Sequence, residues 1–434
     1  MPDALTFSTA AQDRTLSVGV VGLGYVGLPA ALLIAEAGFQ VTGVDLRRDR
    51  VAKLNDAVCP IEGNEPGLAE LLTQVVQSKR IRFATDHTAL SEADVVLVAV
   101  ETPVEADHRP RYDALRNAVT SLAPVLRSGA LLVIESTLAP GTIDRVVVPA
   151  LEAQGRKVGE DLLVGHCPER VMPGKLLSNM RHLSRVCGGT TPETAERMRA
   201  FYAAFVHADL DVADAVTAEL TKTAENAYRD VNIAFANELA LLCEAAGGDF
   251  AKVRPLVNKS PGRNVLLPGT GVGGQCIPKD SWLLLASDAC PDPTFGVIAA
   301  ARRTNDAMPL KIVERLAREL ESRGGQLQGA TIAVLGWAYL ENSDDDRNTP
   351  SAPLCQELEQ RGAKVRLHDP LVLPVGVAKE ALSQVIEGAA AVVIAVGHDE
   401  YKAFDWSKQS VLVLDARDAL RGKSVMGPLR TLGC

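Results

Sequence analysis

The chain has no apolar run of the roughly 18 to 20 residues needed to span a bilayer. Its first stretch, Met1 to Thr15, is polar and has no apolar core of a secretory leader. A cytoplasmic protein without a membrane partner is therefore expected. There is no CxxC pair either. Eight cysteines stand at the irregular positions 59, 167, 187, 243, 276, 290, 355 and 434, a spacing that fits reduced thiols and neither a disulfide framework nor a zinc site, so no metal is expected. Nor is there an excess of positive charge. With 45 Lys and Arg against 54 Asp and Glu, the net charge of -9 argues against a nucleic-acid partner, while leaving room for a basic pocket that holds a phosphorylated ligand.

What remains is an ordinary globular composition, 47% hydrophobic and 23% charged over 434 residues, long enough for two to four domains. Residues 17 to 21 read as a buried strand, followed at once by Gly22-Leu-Gly24-Tyr25-Val26-Gly27. A helix then runs to Gly38, and a second strand, Gln40 to Val44, ends in Asp45. Strand, GxGxxG, helix, strand and acid within about 30 residues form the dinucleotide fingerprint: glycines for a tight turn close to pyrophosphate, helix N–H groups for its charge, and an acid for the ribose. Asp45 favours NAD over NADP, although Arg47 and Arg48 could accept a 2′-phosphate. Apolar runs at Asp94 to Val100 and Ala130 to Ile134 continue a doubly wound pattern. They place Thr102, Glu135, Ser136 and Thr137 at the carboxyl edge, where ligands bind; for Ser136 and Thr142, turn or cap duty competes with that reading.

Two further stretches carry chemistry. In Gly271-Val-Gly273-Gly-Gln-Cys276-Ile-Pro-Lys279-Asp280 a single cysteine sits in a glycine-rich loop beside a lysine, the setting of an activated thiolate; the other seven cysteines read as small buried hydrophobes. From about Asp211 to Ala246 a long helix without glycine or proline is expected. Lys222 and Asn226, four apart on one face, are its functional pair, and Glu219, Glu225, Arg229, Asp230 and Glu238 its ion-pair scaffolding. After residue 325 a second nucleotide-fold pattern begins, with strands at 330–336, 364–368, 391–396 and 411–415 and a helix near 350–361. The glycine fingerprint is not repeated, since Gly336 is followed by Trp337-Ala-Tyr339, so this part should bind something other than a full dinucleotide.

Taken together, six motifs in order, from Gly22–Pro29 through Glu135–Thr142, Pro168–Gly174, Glu219–Asn226 with Tyr228–Asp230, and Gly271–Asp280 to Asp344–Pro350, resemble the nucleotide-sugar 6-dehydrogenase family over nearly the whole chain. The fold class expected is α/β: two doubly wound Rossmann-like domains joined by a long central helix, with an NAD-binding domain at 1–205, a central helical domain with the cysteine loop at 206–325 and a UDP-sugar-binding domain at 326–434. The resemblance implies a four-electron oxidation of a UDP-sugar C6 alcohol to the acid by two NAD in succession. It gives Cys276 the role of nucleophile, Lys222 and Asn226 that of donors to the C6 oxygen, and Asp280, Thr137 and Glu169 parts in hydrolysis. On the cofactor side it adds Arg50, Thr102, Glu135, Lys279 and Arg347 to Gly22, Gly24, Tyr25, Val26, Gly27 and Asp45; on the substrate side it marks Arg170, Val171, Arg263, Gly273 and Tyr339. A homodimer or higher homo-oligomer is implied through the long helix.

Glucose members carry a second glutamate four residues after the first, whereas Glu169 here is followed by Arg170-Val-Met-Pro-Gly174. The segment is more like the N-acetylmannosamine members, with N-acetylglucosamine and glucose as alternatives. Gln275 and Leu340 depart from the family pattern. Two rivals stand behind this reading. A two-electron β-hydroxyacid-type dehydrogenase would have no need of Cys276, and an inactive nucleotide-sugar-binding protein would not retain Cys276, Lys222 and Asp280 together.

Overall fold

The computed structural model describes residues 4–61, 65–172, 174–286, 292 and 296–433; Cys290, Cys434 and Pro173 of the motifs above lie outside them. The chain forms two compact units, Met1–Glu225 with Trp282–Pro291, and Asn226–Ser281 with Asp292–Cys434.

In the first unit, runs of β-branched and aliphatic residues form β1 (Ser17–Val21), β2 (Gln40–Val44), β3 (Ile81–Ala84), β4 (Val95–Val98), β5 (Ala130–Ile134), β6 (Leu162–His166), β7 (Arg185–Gly189) and β8 (Leu210–Asp214). They make one sheet in the order β3-β2-β1-β4-β5-β6-β7-β8, parallel except where β7 runs against β6. Successive side chains alternate between two buried faces: Val95, Leu97, Leu131 and Val133 pack in one core, and Val96, Val98, Leu132 and Ile134 in the other. A strand buried on both sides leaves no polar position, which is why β4 reads Val-Val-Leu-Val. The order reverses at β1, and the carboxyl ends of β1, β2, β4, β5 and β6 lie along one edge, the ligand edge of such sheets.

The second unit repeats the plan with β9 (Thr331–Leu335), β10 (Lys364–His368), β11 (Ala391–Ile394), β12 (Leu412–Asp415) and β13 (Leu429–Thr431), all parallel in the order β10-β9-β11-β12-β13. Ile332, Val334 and Val393 face one core and Ala333, Leu335 and Val392 the other. No helix among the described residues is long and apolar enough to cross a membrane.

The long helix spans Ala215–Ala246, about 48 Å at the usual rise. It starts four residues later than its sequence suggests. Leu210–Asp214 instead pairs with β7 as β8, and Asp214 caps the helix by accepting from the Thr217 N–H and hydroxyl, both at 2.8 Å. Gly247, with φ of 72°, and the Gly248 N–H on Cys243 O at 2.8 Å close it. Among the elements the sequence did not announce is a helix in the opening segment, Ala4–Gln12, anchored by buried Phe7 and Ala11, four apart. Its apolar residues, Ala4, Leu5, Phe7, Ala10 and Ala11, follow no single helical face, and Leu5 is exposed, so no periodicity is visible.

Candidate active site

The first unit carries the fingerprint. Gly22 ends β1 with φ of 87°, and a Cβ there would lie 2.5 Å from Ala99 O; a Cβ on Gly27 would lie 1.9 Å from Gly22 O. Both positions therefore require glycine. A Cβ on Gly24 would meet nothing within 4 Å, so this glycine leaves open space over the turn. The helix Gly27–Glu36 begins there, its positive dipole end beside that space, although the Leu28 N–H is taken by Gly24 O at 3.1 Å and Pro29 has none. Asp45 follows β2. Its Oδ2 accepts from the Leu23 N–H (2.9 Å) and Arg50 Nη1 (3.0 Å), and its Oδ1 from the Arg47 N–H (2.9 Å). This cradle fits a dinucleotide: Gly22, Gly24, Val26 and Gly27 would take the pyrophosphate and Asp45 the ribose. Tyr25 does not stand free, for its hydroxyl donates to Glu65.

Along the same edge the Thr102 hydroxyl donates to Thr137 O at 2.7 Å and the Ser136 hydroxyl to Val100 O at 2.6 Å, tying the loop after β4 to the loop after β5. Thr142 donates to Ala139 O at 2.6 Å. Ser136 and Thr142 are thus turn residues, as their alternative reading had it. Glu135 does not lie open on the cofactor edge. Its carboxylate, 2% exposed, accepts from the Tyr202 hydroxyl at 2.7 Å and sits 3.6 Å from Arg185 Nη1. Arg185 lies 2.6 Å from Glu169 Oε2 and over the Tyr202 ring. Burial, partly offset by Arg185 and reinforced by Glu169, pushes the Glu135 carboxyl up to about 7. A charged arginine three residues before a glycine pair on a buried strand was the signal for this cluster.

Glu169 Oε1 accepts from the Arg170 N–H at 2.9 Å. Arg170 reaches Ser184 O at 3.0 Å and pairs with Glu225 at 3.1 Å, so Glu225 is scaffolding as read, and Val171 is partly buried against the first core. Glu219 is a correction. Among the described residues it forms no ion pair; its carboxylate, 1% exposed, accepts from the N–H groups of Gly141 (2.5 Å) and Ile143 (2.8 Å), anchoring the turn after Thr137 to the long helix. Its burial raises the carboxyl to about 7, against the pull of those two N–H groups. Lys222, one turn on, is buried. It acts electrostatically on His166 at the end of β6, whose imidazole burial drives down to about 4. His166 Nδ1 donates to Ile134 O at 2.8 Å, and Nε2 has no hydrogen-bond partner among the described residues.

The second unit carries the cysteine. Among the six described cysteines Cys276 is the exposed one. It caps the helix Ile277–Leu285: its carbonyl accepts the Asp280 N–H at 2.8 Å and the Lys279 N–H at 3.1 Å, so its thiol stands at a helix N-terminus, where a thiolate is stabilised. Asp280 is fully buried and accepts from Asn226 Nδ2 at 2.5 Å; its other oxygen lies 3.5 Å from Lys279 Nζ. Asp230 holds Ser281 (2.9 Å), Arg302 (2.7 Å) and Asn305 (2.7 Å), fixing the same helix. Asp230 is scaffolding, as expected, but its partner Arg302 stands on a long helix, Val297–Glu321, that the sequence reading did not single out.

The cysteine loop is built on close approach. A Cβ on Gly273 would lie 2.3 Å from Tyr339 Cβ, and the Gly274 N–H donates to Arg347 O at 2.8 Å. Tyr339 in turn donates to Asp345 Oδ2 at 3.0 Å, and Arg347 forks onto Asp345 at 2.7 and 2.5 Å. Burial, with the charges of Asp345 and Cys276 adding to it, raises the Tyr339 phenol, which stays protonated. Arg263 is apart from this group; it is exposed and donates to Pro261 O at 2.6 Å.

Three family models match in succession: the UDP-glucose/GDP-mannose dehydrogenase family NAD binding domain over residues 16–206, its central domain over 216–307 and its UDP binding domain over 333–422. A UDP-N-acetyl-D-mannosamine dehydrogenase from Pyrococcus horikoshii is 36% identical over 423 residues, 96% of this chain and 99% of that protein. An NDP-N-acetyl-D-galactosaminuronic acid dehydrogenase from Ralstonia solanacearum is 35% identical over 422 residues, 93% and 96% of the two chains. The solved structure of the UDP-D-ManNAc dehydrogenase from Pyrococcus horikoshii superposes with a TM-score of 0.89 at 35% identity, covering 96% of this chain and 99% of that one. Glycine cradle, capped cysteine and full-length similarity agree: the chain belongs to the UDP-glucose/GDP-mannose dehydrogenase family and is an NAD-dependent UDP-sugar oxidoreductase.

Proposed function

We propose that the protein oxidises the C6 alcohol of UDP-N-acetyl-D-mannosamine to the uronic acid, in two two-electron steps at one site. The exposed thiol of Cys276 at the N-terminus of the helix Ile277–Leu285 carries this reading. When bound, NAD accepts the hydride that leaves C6 at each oxidation. The C6 hydroxyl gives its proton to solvent water as the first hydride leaves, while Lys222 and Asn226, one turn apart on one helix, donate to the C6 oxygen as negative charge grows on it. The Cys276 thiolate adds to the aldehyde carbon, forming a C–S bond and a thiohemiacetal; loss of the second hydride leaves the thioester. Water attacks the thioester carbonyl, the C–S bond breaks, and the thiolate returns while the acid departs. Asp280 and Thr137 orient that water and Glu169 takes its proton.

Gly22 to Gly27, Asp45, Arg50, Thr102, Lys279 and Arg347 hold the cofactor in this scheme, and Arg170, Val171, Gly273 and Tyr339 the sugar nucleotide. The domains are 1–205 for NAD, 206–325 for the cysteine loop and 326–434 for the UDP-sugar. A cytoplasmic homodimer completes the proposal. Val216, Leu220, Tyr228, Phe235 and Leu242 stand exposed along the long helix at spacings of four, eight, seven and seven, an apolar stripe that a second copy would cover. Exposed Arg263 suits a site finished by that copy. Light scattering that returned a monomer would remove this part.

The N-acetylhexosamine choice is supported by the names of the relatives and by the missing second glutamate after Glu169; the Ralstonia relative favours a galactosamine sugar as the second reading. The test is NADH formed per sugar consumed with UDP-N-acetylmannosamine, UDP-N-acetylgalactosamine, UDP-N-acetylglucosamine and UDP-glucose. Two NADH per UDP-N-acetylmannosamine, with the others slow, is expected. One NADH per sugar would exclude the thioester route, and preference for another sugar would reassign the substrate.

A further inference from the structure

Glu65 lies outside every motif considered so far, yet three separated stretches converge on its carboxylate. The Tyr25 hydroxyl, from the glycine turn, donates to Oε1. The Gly174 N–H donates to the same oxygen at 2.8 Å, and the Leu176 N–H approaches Oε2 at 3.3 Å. Hydrogen bonds to an ionised acceptor are about twice as strong as neutral ones, and a single carboxylate cannot shift toward one donor without loosening the others. Its backbone is fixed as well. The Leu68 N–H donates to Glu65 O at 3.2 Å, and Gly67, with φ of 80°, begins the helix Leu68–Gln77. On the far side, the chain leaving Glu169, Arg170 and Val171 is held by the Met172 N–H on Asn179 Oδ1 at 3.1 Å and the Lys175 N–H on Met172 O at 3.1 Å. Glu65 is thus the direct link between the turn that cradles the cofactor and the end of the segment assigned to the sugar.

We infer that Glu65 is a positioning residue that couples dinucleotide binding at the Gly22–Gly27 turn to the placement of residues 169–176. A dinucleotide that moves the Tyr25 ring changes its hydrogen bond to Glu65, and the carboxylate passes that change to the N–H groups of Gly174 and Leu176. The consequence for the sugar rests on the role proposed above for Arg170 and Val171; the link itself does not.

The experiment is hydrogen exchange, by mass spectrometry, of the peptide covering 168–177 in the full-length protein with and without NADH. In the wild type NADH is expected to change exchange there several-fold. Tyr25→Phe, which keeps the ring and loses one hydroxyl, should abolish the change at NADH concentrations that calorimetry shows to saturate it; Glu65→Gln, which keeps the size and one acceptor oxygen, should raise exchange already without NADH. In turnover, Glu65→Gln should raise the KM for the sugar nucleotide severalfold with a much smaller effect on kcat. An NADH effect on 168–177 that is absent in the wild type, or equally large in Tyr25→Phe, would overturn the inference. Failure of all four UDP-sugars to react would instead strike the proposed function and leave the exchange result to decide the link.

Discussion

The two sheets open with the same device and use it differently. In the first, Gly22 has φ of 87°, its N–H donates to Val44 O at 2.8 Å, and Asp45 accepts the next N–H, that of Leu23. In the second, Gly336 has φ of 106°, its N–H donates to His368 O at 2.8 Å, and Asp369 accepts the N–H groups of Trp337 (2.7 Å) and Ala338 (3.0 Å). The difference is in what is left over. Asp45 has three donors, while Asp369 also takes the N–H groups of Leu371 and Val372 and His398 Nε2 at 3.1 Å. His398 Nδ1 accepts the Asn342 N–H, so the proton sits on Nε2. A carboxylate offers about four lone-pair sites; Asp369 is filled, and Asp45 keeps room for a ribose hydroxyl. After Gly22 the helix starts at Gly27, whereas after Gly336 it starts only at Ser351. The intervening loop carries Tyr339, Asp345 and Arg347 and packs on the cysteine loop. The same turn reads a dinucleotide in one sheet and braces the loop of Cys276 in the other.

The sharpest break of that comparison exchanges the losses. Cys276→Ser should lower acid formation by more than about 10³-fold while leaving NADH binding intact; Gly27→Val, driving a side chain into Gly22 O, should remove NADH binding while Cys276 still reacts with iodoacetamide. Calorimetry and alkylation kinetics separate the two. Next come the aspartates. Asp45→Ala should raise the KM for NAD about tenfold, the worth of roughly one hydrogen bond, and also lower the melting temperature, because the buried Leu23 N–H loses its acceptor. Asp369→Asn should leave the KM for NAD alone and lower stability by about 1–3 kcal/mol, because one of its N–H donors loses its acceptor.

The pH dependence of stability sharpens the contrast further. Burial acts to raise the Asp369 carboxyl, but hydrogen bonds from His398, Leu371 and Ala338 outweigh it and hold it at about 2. Its folded value lies below the unfolded one, so its contribution is present above about pH 4 and lost as pH falls toward 2. Asp369→Asn should flatten thermal stability across that window. An effect of opposite sign is expected at Glu135, whose carboxyl is raised to about 7. Here the folded value exceeds the unfolded one, so stability falls as pH rises from about 4.5 to 7. Glu135→Gln should be nearly neutral at pH 5 and gain melting temperature at pH 8.

Much of this was legible in the sequence because local chemistry wrote it. Gly22, Gly27, Asp45 and the doubly buried strands follow from close approach and two-sided burial, and the exposed place of Cys276 at a helix end from the glycine-rich run before it and Pro278 after it. What the sequence hid is held by long-range pairing. Nothing near Glu135 says that Arg185 and Tyr202 will enclose it, and nothing near Glu219 says that its carboxylate will reach Gly141 and Ile143. The strand at 210–214 was masked by the polar residues that run on into the long helix, and the Ala4–Gln12 helix by apolar residues that follow no single helical face.

The most direct test of the account is to quench the wild-type enzyme with acid during turnover of UDP-N-acetylmannosamine and NAD, and to weigh the peptide containing Cys276. The account predicts a labile adduct of the oxidised sugar nucleotide on Cys276, absent in Cys276→Ser and without NAD. Steady production of the acid by the wild type, with Cys276 unmodified at every quench time and with Cys276→Ser equally fast, would contradict it.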